Sequence, residues 1–484
     1  MIQQRIHNNK IQLFTDSKET AREIQEEFSA MEPGIEHDIR VRSKQWDGKT
    51  RFYKLKFGNE GFLFEIPIGF KGRVERFTGE KFPVSVDYTP ALEFLKEFTK
   101  TLPFKPYKHQ LKMFLGMASN NTHLGVAATG AGKSLVIWML LRYFREQDKK
   151  VLILVPTVDL TTQLKNDFVD YNAKDNINEI QLIGGEFNNK NINKPVVIST
   201  WQSAHKADLS GFDVVINDEV HLSKADVLLS ILDNPFSIKL GLTGTPPIEK
   251  INYMKLEQNF GEPVKYITAK ELIDLGLATN LSVVPIFLTQ KQKIMKYHDE
   301  VKFIKTSPKR KIWVSKFLKK LKGLTIALYQ HTEHGKDTWE SITGVKLTSK
   351  VINDFEKQKE LGVFFMSGTM KTSTRNQILD YFKTLTTENV IMIGQTRILA
   401  TGINIKPLKN LVFLAPNKSY TDAIQAIGRV LRLHKSKTKA LVFDLVDDFT
   451  VGRKTENYAL THFYERLTYY EYQQFDIIEK EIML

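Results

Sequence analysis

Between residues 124 and 276, short apolar runs alternate with stretches whose apolar side chains recur every three or four positions. The runs fall at 124–128, 151–155, 195–199, 214–216 and 239–242, and each is followed by a polar cluster. Strands alternating with helices in this way predict a doubly wound parallel sheet, whose ligands sit outside the carboxyl ends of its strands. The clusters Pro156-Thr157, Thr200-Trp201-Gln202, Asp218-Glu219 and Thr243-Gly244-Thr245 therefore point toward one crevice. A second series, from about Thr279 to Asp447, repeats the pattern with runs at 325–329, 363–366, 390–393 and 411–414. Its polar ends include Ser367-Gly368-Thr369, Gly394-Gln395-Thr396 and Ala400-Thr401-Gly402-Ile403-Asn404. The fold class predicted is α/β: two tandem parallel-sheet domains over 91–276 and 277–450, with a small N-terminal α+β domain over 1–90. An aromatic-rich helical tail, 451–484, is expected to pack against the second series.

Residues 1–90 follow other periods. Asp16 is placed to cap a helix with Glu19 at its third position and with Ala21, Ile24 and Phe28 on its buried face. Residues 39–46 and 49–57 alternate in period two around Asp47-Gly48, the mark of a hairpin whose turn positions take positive φ. Alternation gathers Arg40, Arg42 and Lys44 on one face of the first strand, with Trp46 at its tip, and Lys54 and Lys56 on one face of the second. Seven Lys or Arg stand against one Asp between Arg40 and Lys56. Ordinary solvated faces mix signs, so Arg40, Arg42, Lys44 and Trp46 are expected to meet nucleic acid. Farther on, nine Lys or Arg and no acid lie between Lys302 and Lys322, around a stripe of Val314, Phe317, Leu318 and Leu321. Such a stripe predicts one amphipathic helix, its basic face either a phosphate contact or simply solvated.

Composition narrows the class. With 484 residues the chain exceeds one core, and a prior of about three domains follows. A formal charge of +14 selects polyanions as partners, with nucleic acid first. Acidic membrane is the competitor, but no run reaches the roughly eighteen apolar residues a span needs, and Met1 to Thr15 lacks the layout of a signal peptide. Cysteine is absent, which excludes disulfides and thiolate metal sites and fits a reducing interior such as cytoplasm.

The chemistry concentrates in Ala127-Ala128-Thr129-Gly130-Ala131-Gly132-Lys133-Ser134. A strand precedes it, and a helical pattern over 134–144 follows, with Leu135, Trp138 and Met139 on one face. Such a loop turns backbone N–H groups inward as an anion nest, adds a helix N-terminus, and offers Lys133 to the outer phosphates and the Ser134 hydroxyl to Mg²⁺. Ala127 replaces the first glycine of the general pattern. Downstream, the apolar run 214–216 delivers Asp218 to a strand end, where a carboxylate can hold the metal, and Glu219 to the position that polarises water. In the second series, Arg429 and Arg432 lie three apart, hence on one helical face, where both could meet the γ-phosphate. Ahead of the loop, Phe104-Lys105-Pro106-Tyr107-Lys108-His109-Gln110 offers an aromatic and a Gln either to adenine or to an ordinary helix start.

In this order the segments resemble the motif set of superfamily 2 helicases. Ala127 to Ser134 resembles motif I, Val155-Pro156-Thr157 through Gln163 motif Ia, Asp218-Glu219-Val220-His221 a DExH-type motif II, and Thr243-Gly244-Thr245 motif III. Ala400 to Asn404 resembles motif V, and Gln425 to Arg432 motif VI. The likeness spans residues 105–450 and implies two RecA-like domains using ATP and Mg²⁺. Trp46-Asp47-Gly48, Thr200-Trp201-Gln202, Thr401-Gly402-Ile403 and Gly428-Arg429-Val430-Leu431-Arg432 are most similar to the phage UvsW-type recombination and repair helicases. That resemblance implies remodelling of branched DNA by fork unwinding and branch migration, in the host cytoplasm if the gene is a phage's. It assigns nucleotide contacts to Gln110, Ala128, Thr129, Gly130, Ala131, Gly132, Lys133, Ser134 and Gly402. It assigns metal ligation to Ser134 and Asp218, catalysis to Lys133, Asp218, Glu219, Arg429 and Arg432, and nucleic-acid contacts to Thr157, Thr200, Trp201, Gly368 and Thr401. Val220-His221 in place of Ala-Asp argues against the RNA-directed DEAD-box group. Two alternatives stand beside it: a double-strand translocase that does not separate strands, and a passive binding or annealing protein whose nucleotide site is a relic.

Overall fold

Val151–Val155 is buried at every position, as are Val196–Thr200 and Val214–Asn217. Strands apolar on both faces belong inside a parallel sheet covered by helices on either side, and that is where they lie. The structure is a computed structural model. It describes residues 2–484 outside 8–9, 33, 36–37, 59–60, 84–85, 172–176, 186–190, 223–224, 248, 293–295, 387, 397–404, 406, 416–425, 429, 435–436 and 451–455. The chain divides into two compact units, Met1–Ala127 with Gly132–Tyr266, and Ala128–Ala131 with Ile267–Leu484.

In the first unit seven strands follow the order Pro263–Ile267, Thr122–Ala127, Ile238–Thr243, Val214–Asn217, Val151–Val155, Val196–Thr200, Ile180–Ile183. The ladders from Thr122–Ala127 through to Ile180–Ile183 are parallel. One strand, Ile238–Thr243, separates the strand feeding the glycine loop from the strand feeding Asp218. That spacing opens the crevice between the two chemically active ends.

The N-terminal part forms an antiparallel sheet ordered Gln3–His7, Lys10–Thr15, Gly61–Pro67, Lys54–Gly58. Its core of Ile11, Leu13, Ile24, Phe28, Phe64 and Phe70 continues into Ile251 and Met254 of the helix Lys250–Phe260. Arg73 seals this junction, its guanidinium 2.7 Å from Glu27 and 2.7 Å from the fully buried Glu257. Two expectations fail here. The helix Lys18–Glu27 is capped by Ser17, whose hydroxyl accepts from Thr20 N, one residue after the expected Asp16. Residues 39–46 are not a strand: Ile39–Arg42 is a single helical turn started by Asp38, whose carboxylate accepts from Arg40 N at 2.8 Å. The alternation there offered only Ile39 and Val41 as an apolar face, and Ile39 is 80% exposed. Lys49–Arg51 pairs with Ser29–Met31 instead. Of the two turn residues only Gly48 takes positive φ, 77°, while Asp47 accepts from Lys49 N at 3.1 Å.

In the second unit the sheet runs Val363–Met366, Ile391–Gln395, Thr325–Tyr329, Asn410–Phe413, Lys439–Asp448, Asn280–Thr289, all parallel, with the short Asp476–Ile477 and Lys480–Met483 on the outer edge of Asn280–Thr289. The C-terminal tail is thus helix and strand together. Its helix Tyr458–Tyr472 is pinned to the sheet by Arg466, whose guanidinium grips Asp444 at 2.8 and 2.9 Å inside the core. The basic stretch 302–322 is two helices, Tyr297–Thr306 and Pro308–Lys320, because Pro308 cannot continue the first. Arg310 leaves the basic face altogether: buried, it pairs with Asp447 at 2.7 Å and donates to Leu414 O. Among the described residues, no helix is long and apolar enough to cross a membrane.

Candidate active site

The strand Thr122–Ala127 ends at the glycine loop, and the helix Lys133–Arg145 begins immediately after it. Gly130 and Gly132 have φ of 89° and 77°, conformations that L side chains rarely adopt. A Cβ on Gly132 would lie 2.2 Å from Gln110 Nε2, whereas around Gly130 nothing stands within 4 Å of that position. Ala127, in place of the first glycine, is buried and needs no such freedom.

Two strands away, Asp218 N donates to Leu154 O at 2.9 Å, which fixes the end of the Val214–Asn217 strand. Glu219 then takes a left-handed conformation, φ 49°, an unusual cost for a residue with a Cβ. The turn carries its carboxylate to Lys133, Nζ to Oε1 3.0 Å, while Oε2 accepts from Gly244 N at 3.3 Å. Loop, acidic turn and Thr243-Gly244-Thr245 thus meet, as the strand ends foretold.

Burial and the adjacent Glu219 push the Asp218 carboxyl upward. Burial would raise Glu219 as well, but the Lys133 ammonium overrides it and holds Glu219 below its ordinary value. Burial opposes the Lys133 charge, and Glu219 and Asp218 more than restore it. Burial lowers His221, against the pull of Glu219. Thr243 Oγ1 donates to Thr245 O at 2.8 Å, so its lone pairs take Thr245 N–H at 3.1 Å and the His221 Nδ1–H at 2.6 Å. His221 Nε2 is a buried ring nitrogen with no partner among the described residues.

The donor set suits a magnesium triphosphate. An ammonium already engaged by a carboxylate stands where an anion is wanted, Ser134 and Asp218 supply oxygen ligands of the kind Mg²⁺ takes, and the loop leaves open space at Gly130. Gln110 is buried; it accepts from Tyr107 N at 2.8 Å at its own helix start and donates to Gly132 O at 3.4 Å. The helix-start reading is thus observed, and the same side chain reaches the glycine loop.

The expected nucleic-acid contacts divide. Trp201 is 4% exposed and donates its indole N–H to Asn217 Oδ1 at 2.9 Å; it is a core residue, contrary to expectation. Thr200, equally buried, gives its hydroxyl to Ser203 at 3.0 Å. Thr157 caps the helix Val158–Asp170, and Gly368 is exposed between Ser367 and Thr369. Arg40, Arg42 and Lys44 are exposed, with the Arg40 guanidinium 4.9 Å from the centre of the Trp46 ring and paired to Asp38 at 2.8 Å. Helical geometry therefore brings Arg40 and Trp46 together where a strand was expected to.

Thr401, Gly402 and Arg429 lie outside the described residues. Arg432 lies just beyond the last helical residue, Val430, rather than within the helix. Its carbonyl accepts from Thr279 Oγ1 at 2.9 Å, and the preceding Leu431 O from Thr279 N at 2.7 Å. Lys437 Nζ donates to Val430 O at 2.7 Å and Leu408 O at 3.0 Å. Neither Thr279 nor Lys437 was singled out by sequence, nor was Tyr171, whose hydroxyl lies 2.8 Å from Ser134 Oγ. No period or spacing marks them, because Thr279 and Tyr171 act on segments distant in the chain and Lys437 bridges Val430 to Leu408.

The family described as "Type III restriction enzyme, res subunit" matches residues 93–248, and "Helicase conserved C-terminal domain" matches 314–434. The ATP-dependent DNA helicase uvsW of Enterobacteria phage T4 is 32% identical over 502 residues, covering 96% of each chain. Two solved structures share the fold. A fragment of an HsdR subunit of a type I restriction enzyme from Vibrio vulnificus has a TM-score of 0.58 at 18% identity, over 81% of this chain and 71% of that one. Mss116p, solved with ssRNA and AMP-PNP, has a TM-score of 0.52 at 15% identity, over 83% and 80%.

Proposed function

We propose, for a chain that belongs to the UvsW-type family of ATP-dependent DNA helicases, that hydrolysis at Lys133, Asp218 and Glu219 drives the remodelling of forked and branched DNA. ATP-dependent helicase and translocase activity, with dependence on Mg²⁺, comes with membership of superfamily 2. The residue roles and the branched substrate are the proposal.

The carrying observation is the Lys133–Glu219–Asp218 cluster beside a glycine loop. Lys133 and the loop amides bind the phosphates, and Ser134 and Asp218 hold the metal, which supplies charge to the phosphate oxygens. Glu219, kept ionised by Lys133, orients and polarises the attacking water once phosphate oxygens take the ammonium from it. Arg429 and Arg432 are assigned to charge developing on the transferred phosphoryl group. The exposed Arg40, Arg42 and Lys44, with the half-buried Trp46, form the basic and aromatic contact to the nucleic-acid backbone.

The test is ATPase stimulation by single-stranded, forked and four-way DNA against RNA. Greater stimulation by forks and junctions than by single strands is expected, and preference for RNA would overturn the substrate. The match of residues 93–248 to a restriction-enzyme family keeps translocation without strand separation as a second reading. Release of a labelled strand from forked DNA decides between them.

A further inference from the structure

Tyr171 closes the helix Val158–Asp170, its N–H bonded to Asp167 O and Phe168 O at 3.1 Å. Its ring meets the Phe104 ring edge-on, centroids 5.7 Å apart and planes at 82°. Backbone and ring are both held, so the hydroxyl has little freedom, and it lies 2.8 Å from Ser134 Oγ.

A serine hydroxyl has one proton to give and two lone pairs to offer. A metal-binding serine uses one lone pair on the cation, so its second lone pair and its O–H decide how the first is aimed. Either hydroxyl can donate in this pair. With the phenol donating, one serine lone pair is taken and the other is left for a cation; with the serine donating, both lone pairs stay on the side away from the ring. An unanchored serine at the start of a helix samples several rotamers, and an orienting donor removes that freedom before a ligand arrives.

Resting on the nucleotide site proposed above, we propose that Tyr171 is a positioning residue for the magnesium-binding hydroxyl of Ser134. It touches neither nucleotide nor metal itself. Its contribution is to hold the Ser134 rotamer in which a lone pair is free for the cation.

The experiment measures affinity for a fluorescent ADP analogue, with saturating Mg²⁺ and in EDTA, for the full chain and for Tyr171→Phe, Ser134→Ala and the double variant. Phenylalanine keeps the ring against Phe104 and drops only the hydroxyl. Tyr171→Phe is expected to weaken binding about 3- to 10-fold in Mg²⁺, the range of one hydrogen bond, and to leave the EDTA affinity at the wild-type value. In the Ser134→Ala background the same change is expected to add nothing, the signature of two groups acting through one interaction. Unchanged or tighter Mg²⁺-supported binding, an equal loss in EDTA, or an additive loss in the double variant would each overturn the role of Tyr171. Failure of the nucleotide site itself reads differently: the wild-type chain would then show no Mg²⁺-dependent binding at all.

Discussion

Lys133 Nζ stands 3.0 Å from Glu219 Oε1, both side chains largely shielded from water. The pair does two things at once. It neutralises an ammonium that the glycine loop brings beneath the helix start, and it holds the Glu219 carboxyl below its ordinary value. At the proposed nucleotide site, phosphate oxygens would compete with Glu219 for the same ammonium, linking binding to readiness for chemistry.

Lys133→Met is expected to abolish nucleic-acid-stimulated ATPase while leaving DNA binding in place. Its stability should also change with pH. Burial is the largest influence on Glu219 and acts upward, but Lys133 holds it below its ordinary value. A depressed carboxyl stabilises the fold above its unfolded pKa, and that contribution is lost as pH falls through the folded one. Without Lys133, burial prevails, and deprotonating Glu219 opposes folding. The stability deficit of the variant, read from thermal melts, should therefore widen as pH rises from about 4.5 toward 8, reaching about 3 kcal/mol as for broken buried pairs. A deficit constant across that range would contradict the electrostatic account.

Arg432→Ala is expected to lower the maximal hydrolysis rate by about 10³- to 10⁵-fold, the contribution typical of an arginine finger. ATP affinity, measured by equilibrium binding, should stay near wild type. A parallel loss of affinity would place Arg432 in ground-state binding instead.

Trp201→Ala should behave as a core truncation, destabilising the chain by about 3–5 kcal/mol. The indole is buried and bonded to Asn217, so DNA affinity per folded molecule should not move. Selective loss of DNA binding at unchanged melting temperature would return Trp201 to the nucleic-acid contacts.

Arg42→Ala removes an exposed charge with no part in the N-terminal core. DNA affinity should fall uniformly across sequences, and the slope of log affinity against log salt should shrink by about 1. An unchanged slope would mean that the Asp38–Trp46 segment does not reach phosphate.

Lys437 is buried against two carbonyls, and burial, helped by Arg432, lowers it to about 7 from 10.5. The unfolded chain then binds more protons than the folded one between about pH 7 and 10.5. Stability relative to Lys437→Met should accordingly rise with pH across that window, by at most about 1.4 kcal/mol per unit. Thermal melts of both proteins from pH 7 to pH 10 check this, and a falling difference would refute it.

Parts of the fold were legible because local chemistry leaves few choices. Val151–Val155 is apolar at every position, so only the interior of a parallel sheet accommodates it, and Gly130 and Gly132 take backbone angles that other residues avoid. The hairpin expected over 39–57 failed for the opposite reason. Period two in Arg40, Arg42 and Lys44 sets only Ile39 and Val41 on the opposite face, too little apolar surface to hold a strand, and the choice between strand and helical turn passed to Asp38 and to the pairing of Lys49–Arg51 with Ser29–Met31. Trp201 misled because an aromatic after a strand end looks the same whether it faces solvent or Asn217.

Determined along the chain alone were the alternation of strands and helices in the two parallel-sheet units, the loop from Ala127 to Ser134, the acidic turn at Asp218-Glu219, and the preference for a polyanion. Those follow from side-chain period, backbone sterics and net charge, all of which act within a few residues or over the whole surface. Tertiary structure decided which groups touch: Glu219 on Lys133, Tyr171 on Ser134, Lys437 on Val430, and the last strands on the edge of Asn280–Thr289. A hydrogen bond or ion pair requires a few ångströms in space and sets no spacing in sequence, so no pattern could have announced them.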